Sequence, residues 1–230
     1  MNTCPYIQPI ICSSTRRLMG AEVLLRFKDE RGNYFSANAD FADEMLDKFT
    51  LKLIDDIQTS FLPLRNRLPT GFFFTFNICA SQIANPVLKT SAYRFADDFN
   101  MMLEVNERSI NDIEDPMLES IQEMMDAGIQ FAIDDFGAGC SSLKYLENMG
   151  FCMLKLNRDL TLIHRGELVY KKTVAALAGL AIMLNIRLGA EGIQSEDQAR
   201  CLAERGVNLL QGRHYSHPLP VNEFISNYIA

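Results

Sequence analysis

The sequence predicts an α/β fold, and three observations support that prediction. From residue 72 onward, short apolar runs alternate with longer segments whose apolar residues have helical spacing. Such repeated alternation implies a parallel sheet. Seven or eight strands in 230 residues favour a closed (β/α)8 TIM-like barrel over an open sheet, a choice that periodicity alone does not settle. No Pro-, Ser- or Gly-rich linker divides the chain, so we expect residues 1–230 to form one domain.

The first third of the chain predicts a pair of strands, a helix and a further strand. The first two strands cover residues 6–12 and 20–27, and the short polar link from Ser13 to Thr15 favours an antiparallel pair. Apolar spacing then predicts a helix from about residue 41 to 64. An aromatic-rich strand follows at residues 72–78.

The rest of the chain repeats a helix–strand unit. We expect helices at about 85–99, 116–127, 141–148, 167–184 and 196–205, and strands at 101–105, 129–133, 151–156, 186–190 and 207–210.

Charge and composition narrow the classes of partner. A content of 48% hydrophobic and 22% charged residues is typical of a soluble globular protein. The net charge of −7 argues against direct binding of a nucleic-acid backbone. An acidic protein still binds an anionic ligand where metal ions or a few local Arg and Lys residues receive it.

The sequence also predicts the cellular location of the protein. The N-terminus lacks the charged and apolar regions of a signal peptide. The longest apolar run, residues 174–184, is well short of the roughly 20 residues that a membrane span needs. The six cysteines show no Cys-x-x-Cys spacing, so zinc is not expected. We therefore expect a cytoplasmic protein with reduced thiols and no membrane association.

Residues 129–143 form the stretch around which the chain is organised. A short apolar run there ends in two adjacent carboxylates, Asp134 and Asp135, and two glycines follow. Ser141 is positioned to cap the next helix. One Asp after a strand is often a turn or cap residue. Two adjacent carboxylates repel each other unless a cation or a donor lies between them, so a metal or catalytic site is the competing interpretation.

Other polar residues lie at or just after the ends of predicted strands. In a barrel these ends meet at the C-terminal face, where such enzymes act. Glu22 lies early in its strand and would reach this face if that strand ran antiparallel to the others. Oxygen ligands in this number suit Mg²⁺ or Mn²⁺, and two such ions suit hydrolysis of a phosphate ester. The strand-end residues are Asn77, Glu104, Glu107, Asp134, Asp135, Lys155, Glu191 and Gln211.

Seven segments, in order along nearly the whole chain, resemble the motifs of the EAL domains, a family of bacterial cyclic-di-GMP phosphodiesterases. Residues 22–26, Glu-Val-Leu-Leu-Arg, resemble the Glu-Ala-Leu-Leu-Arg signature, and residues 134–143 resemble Asp-Asp-Phe-Gly-Thr-Gly-Tyr-Ser-Ser-Leu. The other matching segments are 76–78, 103–107, 154–158, 190–194, and 211–212 together with 218–220.

The resemblance implies a barrel with one antiparallel strand and a role for each matching residue. It implies hydrolysis of one phosphodiester of cyclic di-GMP, which gives pGpG. Glu191 would bind metal or activate water, and Lys155 would position that water or contact phosphate. Glu107 would brace the loop after Asp135. Substrate would contact Arg26, Gln211 and Leu24, and two Mg²⁺ or Mn²⁺ ions would bind Glu22, Asn77, Glu104, Asp134 and Asp135.

The chain departs from the family pattern at several positions. Asn157 stands where the family has Asp, and Gln194 stands where a second Glu is usual. Ala138 and Cys140 replace Thr and Tyr, and residues 213–215, Arg-His-Tyr, replace an apolar run. Two lost carboxylates make the site less negative and would weaken metal binding.

Two hypotheses follow for the function. The first is a metal-dependent cyclic-di-GMP phosphodiesterase, because the matching ligand residues are all present. The second is a divergent member, without an attached sensor or cyclase domain, that regulates motility or biofilm genes by binding a protein partner such as a motility regulator. Fold alone does not separate the two. Members of the family often dimerise, so a homodimer is a further expectation.

Overall fold

An eight-stranded barrel surrounded by helices forms the body of the protein, as the sequence predicts. The strands follow one another around the barrel in the order β1-β2-β4-β5-β6-β7-β10-β11, and β11 pairs with β1 to close it. The structure is a computed structural model, and it describes residues 2–29, 31–32, 34–36, 42–137, 146 and 149–230.

The strands of the described residues fall into barrel strands and short accessory strands. The accessory strands are β3, β12, and the separate hairpin of β8 and β9. In chain order the strands are β1 (Asn2–Cys12), β2 (Leu18–Lys28), β3 (Tyr34–Phe35), β4 (Phe73–Ile78), β5 (Asn100–Asn106), β6 (Gln130–Phe136), β7 (Met153–Leu156), β8 (Ile163–His164), β9 (Glu167–Leu168), β10 (Arg187–Ala190), β11 (Leu209–Leu210) and β12 (Leu219–Pro220).

The helices agree with the predicted ones apart from three differences. The helix expected at 167–184 begins later, because the β8–β9 hairpin occupies its predicted first turn. A C-terminal helix was not predicted. The helix expected at 141–148 lies outside the described residues except for Leu146. The described helices are α1 (Asp43–Phe61), α2 (Pro86–Ala96), α3 (Asp115–Asp126), α4 (Lys171–Met183), α5 (Glu196–Ala203) and α6 (Val221–Tyr228).

Within the described residues, no helix combines the length and the apolar character needed to cross a bilayer. The cysteines that the structure describes are free thiols, which agrees with the expectation of reduced cysteines. They are Cys4, Cys12, Cys79, Cys152 and Cys201.

The antiparallel strand of the barrel is β1, so the suggestion that the strand of Glu22 runs antiparallel is wrong. Strand β2 is parallel to β4, with Glu22 opposite Thr75. Glu22 nevertheless reaches the C-terminal face, because β2 is long and staggered. Val23 in β2 pairs with Phe76 in β4. From that pair, β2 continues for five more residues to Lys28, whereas β4 ends two residues later at Ile78. Glu22 is therefore level with Thr75 in the middle of β4, and its side chain reaches Asn77 near the end of that strand.

A layer of apolar side chains inside the barrel separates its N-terminal end from the candidate site. This layer is distinct from the larger core between strands and helices. Each member comes from a different strand, as in the stacked layers of (β/α)8 barrels. We call it the floor, and it consists of Ile10, Phe73, Met102, Ala132, Met153 and Leu209.

Phe61 at the end of α1 ties the barrel to the C-terminal helix. Its ring is fully buried, and the ring centroid lies 4.9 Å from that of Phe74 in β4 and 6.3 Å from that of Phe224 in α6.

We expect Phe61→Ala to lower the free energy of unfolding by about 3–5 kcal/mol, because it leaves a cavity between three elements. Urea denaturation measures the change. Phe35→Ala, which alters a half-exposed ring, is the control, and an equal loss in both variants would contradict the packing role.

Candidate functional site

The candidate site is the layer of polar side chains directly above the floor. Side chains two residues apart on a strand point to the same face of a sheet. Each floor residue of a parallel strand is therefore followed, two positions later, by a residue of the site layer. The pairs are Phe73 and Thr75, Met102 and Glu104, Ala132 and Asp134, Met153 and Lys155, and Leu209 and Gln211.

The ammonium group of Lys155 lies at the centre of this layer. Its Nζ is 2.7 Å from Oε2 of Glu104, 3.1 Å from Oδ1 of Asp134 and 3.4 Å from Oε2 of Glu22. Lys155, Glu104 and Glu22 are buried. One buried cation therefore holds three carboxylates together.

The charges in this layer alter one another's pKa values. Burial raises the pKa of Glu104 to about 8, although Lys155 opposes the shift. Burial also raises the pKa of Glu191 to about 7, again against the attraction of Lys155. Burial alone would lower the pKa of Lys155, but Glu104, Glu22 and Asp134 outweigh it, so the pKa lies well above its ordinary value. Lys155 is thus positively charged at neutral pH.

Amide side chains fix the carboxylate of Glu22. Nδ2 of Asn77 donates to its Oε1 at 2.8 Å, and Nε2 of Gln211 donates to its Oε2 at 2.7 Å. The same Nε2 of Gln211 is 3.0 Å from Oε1 of Gln8. Glu22 is consequently held by one neutral donor at each oxygen, and Lys155 shares Oε2 with Gln211.

Asp135 occupies the other end of the site. Its backbone has a positive φ of 57°, and the pairing of β6 with β7 is irregular between Ile133 and Phe136. Such a bulge lets two consecutive side chains face the same side of a sheet. Just beyond it, the backbone N–H of Gly137 donates to Oε2 of Glu107 at 2.9 Å, so Glu107 contacts the loop it was predicted to brace.

The remaining predicted residues lie around the mouth of the site. Glu191 follows β10 and interacts electrostatically with Lys155. Arg26 donates to the backbone oxygen of Leu25 at 2.9 Å and lies over the ring of Tyr6, 5.9 Å from its centroid. Leu24 pairs with Tyr6 across the β1–β2 ribbon. The structure thus places Arg26 and Leu24 on the ribbon above the acidic layer.

Sequence reasoning missed two residues of the site. Gln8 contacts Gln211, and because β1 is antiparallel, Gln8 lies two positions before its floor residue, Ile10, instead of two after. Asn106 donates to Asp135 and follows Glu104 by two positions. The period of two residues finds Gln8 when it is applied before Ile10, and it finds Asn106 when it is extended one further step beyond Glu104.

The carboxylate and amide oxygens of the candidate site are chemically suited to bind divalent metal ions. Oε1 of Glu104 is buried and has no hydrogen-bond partner among the described residues. Leaving such an oxygen unpaired is costly, so it indicates a missing ligand. Carboxylate and amide oxygens are the ligands that Mg²⁺ and Mn²⁺ prefer. Yet the described residues contain no preassembled metal cage of three acidic, His or Cys side chains, because Lys155 lies between the carboxylates.

Comparison with known proteins identifies the class. The fold and the acidic layer define a (β/α)8 barrel with a site at its C-terminal face. The family model "EAL domain" matches residues 2–218, so the chain belongs to the EAL domain family. It is 32% identical over 227 residues to the Escherichia coli K12 protein PdeN, a probable cyclic di-GMP phosphodiesterase. That match covers 95% of this chain and 44% of PdeN, so the chain spans less than half of that relative.

Solved structures of the family share the fold. The PaMucR phosphodiesterase in complex with c-di-GMP has a TM-score of 0.85 at 24% identity, covering 96% of this chain and 94% of that one. The manganese and cyclic-di-GMP complex of Klebsiella pneumoniae BlrP1 has a TM-score of 0.75 at 23% identity, covering 96% of this chain and 57% of that one. The predicted fold is therefore confirmed.

The buried charge of Lys155 gives a stability prediction. We expect Lys155→Met to lower the free energy of unfolding in a metal chelator by about 3–5 kcal/mol, because it leaves buried carboxylates without a counter-charge. Added Mn²⁺ should restore part of the loss. Urea denaturation at pH 7 with and without Mn²⁺ measures both effects. Lys52→Met, which removes an exposed ion pair with Asp56, should cost at most about 1 kcal/mol. Equal costs in the two variants would contradict the central role of Lys155.

Proposed function

We propose that the protein is a metal-dependent phosphodiesterase that hydrolyses cyclic di-GMP to pGpG. The observation that carries the proposal is the buried layer in which Lys155 contacts Glu22, Glu104 and Asp134 at the C-terminal face of the barrel. Membership of the EAL family supports cyclic di-GMP as the substrate, as do the similarity to PdeN, a probable cyclic di-GMP phosphodiesterase, and to PaMucR, which is solved in complex with c-di-GMP.

Two Mg²⁺ or Mn²⁺ ions are part of the proposal. The manganese in the BlrP1 complex supports a divalent ion in this family. Bound ions would neutralise phosphate charge and make a water molecule more acidic. Oε1 of Glu104, which has no hydrogen-bond partner among the described residues, supports a ligand at this position. The proposed ligands are Glu22, Asn77, Glu104, Asp134 and Asp135.

Protein groups would carry the proton and hold the substrate. In the reaction a water oxygen bonds to phosphorus, the bond from phosphorus to O3′ breaks, and O3′ takes up a proton. Glu191 is suited to accept the proton of the attacking water, since a base with a pKa of about 7 is poised for transfer at neutral pH. Lys155 would stabilise negative charge on the phosphate. Arg26, Leu24 and Gln211 would contact the nucleotide.

Replacing the proposed base tests the enzymatic function. We expect turnover of cyclic di-GMP with Mn²⁺ by the unmodified chain, and a loss of kcat of at least about 10²-fold in Glu191→Gln, the range for removal of a general base. Separation of pGpG by chromatography measures the rate. Glu44→Gln on the exposed start of α1 is the control and should keep full activity. Undiminished turnover in Glu191→Gln, or none in the unmodified chain, would contradict the proposal.

One observation favours a second candidate, a regulatory binding protein with little or no turnover. Asn157 replaces a family carboxylate, and its Nδ2 donates to Oδ1 of Asp135 at 2.8 Å. Because this hydrogen bond satisfies the Asp135 carboxylate without a metal ion, the site can keep its structure in a protein that has no catalytic activity. The partner would then be a protein such as a motility regulator.

Genetic complementation separates the two candidates. If the protein acts by binding a partner, Glu22→Ala should restore the phenotype of a deletion strain as well as the unmodified gene does. If it acts as an enzyme, Glu22→Ala should fail, because Glu22 lies against Lys155 in the catalytic layer. Equal protein levels, checked by immunoblot, are needed for either conclusion.

A further inference from the structure

Two asparagines hold both carboxylate oxygens of Asp135. Nδ2 of Asn106 donates to Oδ2 at 3.1 Å, and Nδ2 of Asn157 donates to Oδ1 at 2.8 Å. The asparagines lie at the C-terminal ends of the two strands on either side of β6: Asn106 is the last residue of β5, and Asn157 directly follows β7. Asp135 is therefore clasped between two neutral donors.

The orientation of both amides is fixed by a second bond. Oδ1 of Asn106 accepts the backbone N–H of Arg108 at 3.0 Å, and Oδ1 of Asn157 accepts the backbone N–H of Asp159 at 2.8 Å. Each asparagine thus caps the short 3₁₀ turn that follows it. Rotating either amide by 180° would lose the cap and turn an oxygen toward Asp135, so the nitrogens must face that carboxylate.

This clasp makes the two ends of the site different. At the Glu104 end, a buried carboxylate oxygen lacks a partner among the described residues. At the Asp135 end, each oxygen already has a hydrogen bond from a neutral group. A carboxylate at position 157 could make the same cap, but its other oxygen would face Asp135 and would require a cation or a proton between them. With Asn157, no cation is needed there.

We propose that the two metal positions of this protein are unequal, and that Asn157 causes the difference. One divalent ion binds tightly at the end formed by Glu22, Asn77, Glu104 and Asp134. A second ion binds weakly at the Asp135 end, because it must compete with the amide of Asn157 for a carboxylate oxygen. The inference rests on the proposed function, since it takes that site as a metal site.

A count of bound Mn²⁺ ions tests the inference without an activity assay. The chelator-treated full chain is titrated with Mn²⁺ at pH 7.5, and free Mn²⁺ is measured by electron paramagnetic resonance. We expect one tight ion, with any second ion at least about 10-fold weaker. Asn157→Asp should bind two ions and tighten the second by about 10-fold or more, a size typical of changes around a metal site. Its melting temperature without metal should fall, and Mn²⁺ should raise it more than in the unmodified chain.

The chain offers a matched control outside the site. Oδ1 of Asn85 accepts the backbone N–H of Val87 at 2.8 Å, and its Nδ2 donates to Oδ2 of Asp47 at 2.6 Å. Asn85→Asp therefore brings two carboxylates together in the same local arrangement, at the start of α2. It should leave the number of tight Mn²⁺ ions unchanged. An extra tight ion in this control would show that any such carboxylate pair collects Mn²⁺ and would overturn the assignment to Asn157.

The titration of the unmodified chain tests the inequality of the two metal positions separately from the proposed function. Two ions of equal affinity would overturn the inference and leave the proposed function intact. No bound ion would overturn both. An Asn157→Asp variant that folds but gains no second ion would also overturn the role of Asn157. If that variant does not fold, the ion count of the unmodified chain still decides whether the positions are unequal.

Discussion

The contact between the buried ammonium of Lys155 and three carboxylates is the interaction on which the site depends. Burying a single carboxylate without a partner is costly, and burying three would be more so. Lys155 offsets that cost for Glu22, Glu104 and Asp134 at once. Since it leaves Oε1 of Glu104 without a partner among the described residues, the compensation is incomplete. A layer that is both charged and incompletely satisfied is suited to receive metal ions.

The alternation of side chains along the strands builds this layer from the sequence. A floor of apolar residues closes the barrel from below, and the next inward-facing residue of each strand is polar. Met102 and Glu104 show the step in β5, and Met153 and Lys155 show it in β7. The floor keeps water from one side, and the same backbone geometry aligns the charges above it. The apolar floor and the candidate site are therefore formed by successive inward-facing positions of the same strands.

The sequence predicts the strand–helix alternation and the strand-end residues because both depend on local periodicity, whereas the number of strands in 230 residues is what favours a barrel. It does not predict which strand is antiparallel, since a short link after Cys12 fits either arrangement and only the pairing of β2 with β4 decides. The two hydrogen bonds from Asn106 and Asn157 to Asp135 could not be predicted from the sequence either. They need the bulge in β6 and the positive φ of Asp135, which depend on three neighbouring strands. Residue roles such as those of Glu191 and Arg26 remain predictions.

The central claim is that the layer around Lys155 is a divalent metal site. Anomalous X-ray scattering at the manganese edge, from crystals grown with Mn²⁺, tests it most directly. The account predicts a strong peak within bonding distance of Glu104 and Asp134, with the ammonium of Lys155 displaced from at least one of its carboxylates. A map with no peak in this layer, and with Lys155 still bound to all three carboxylates, would contradict the account.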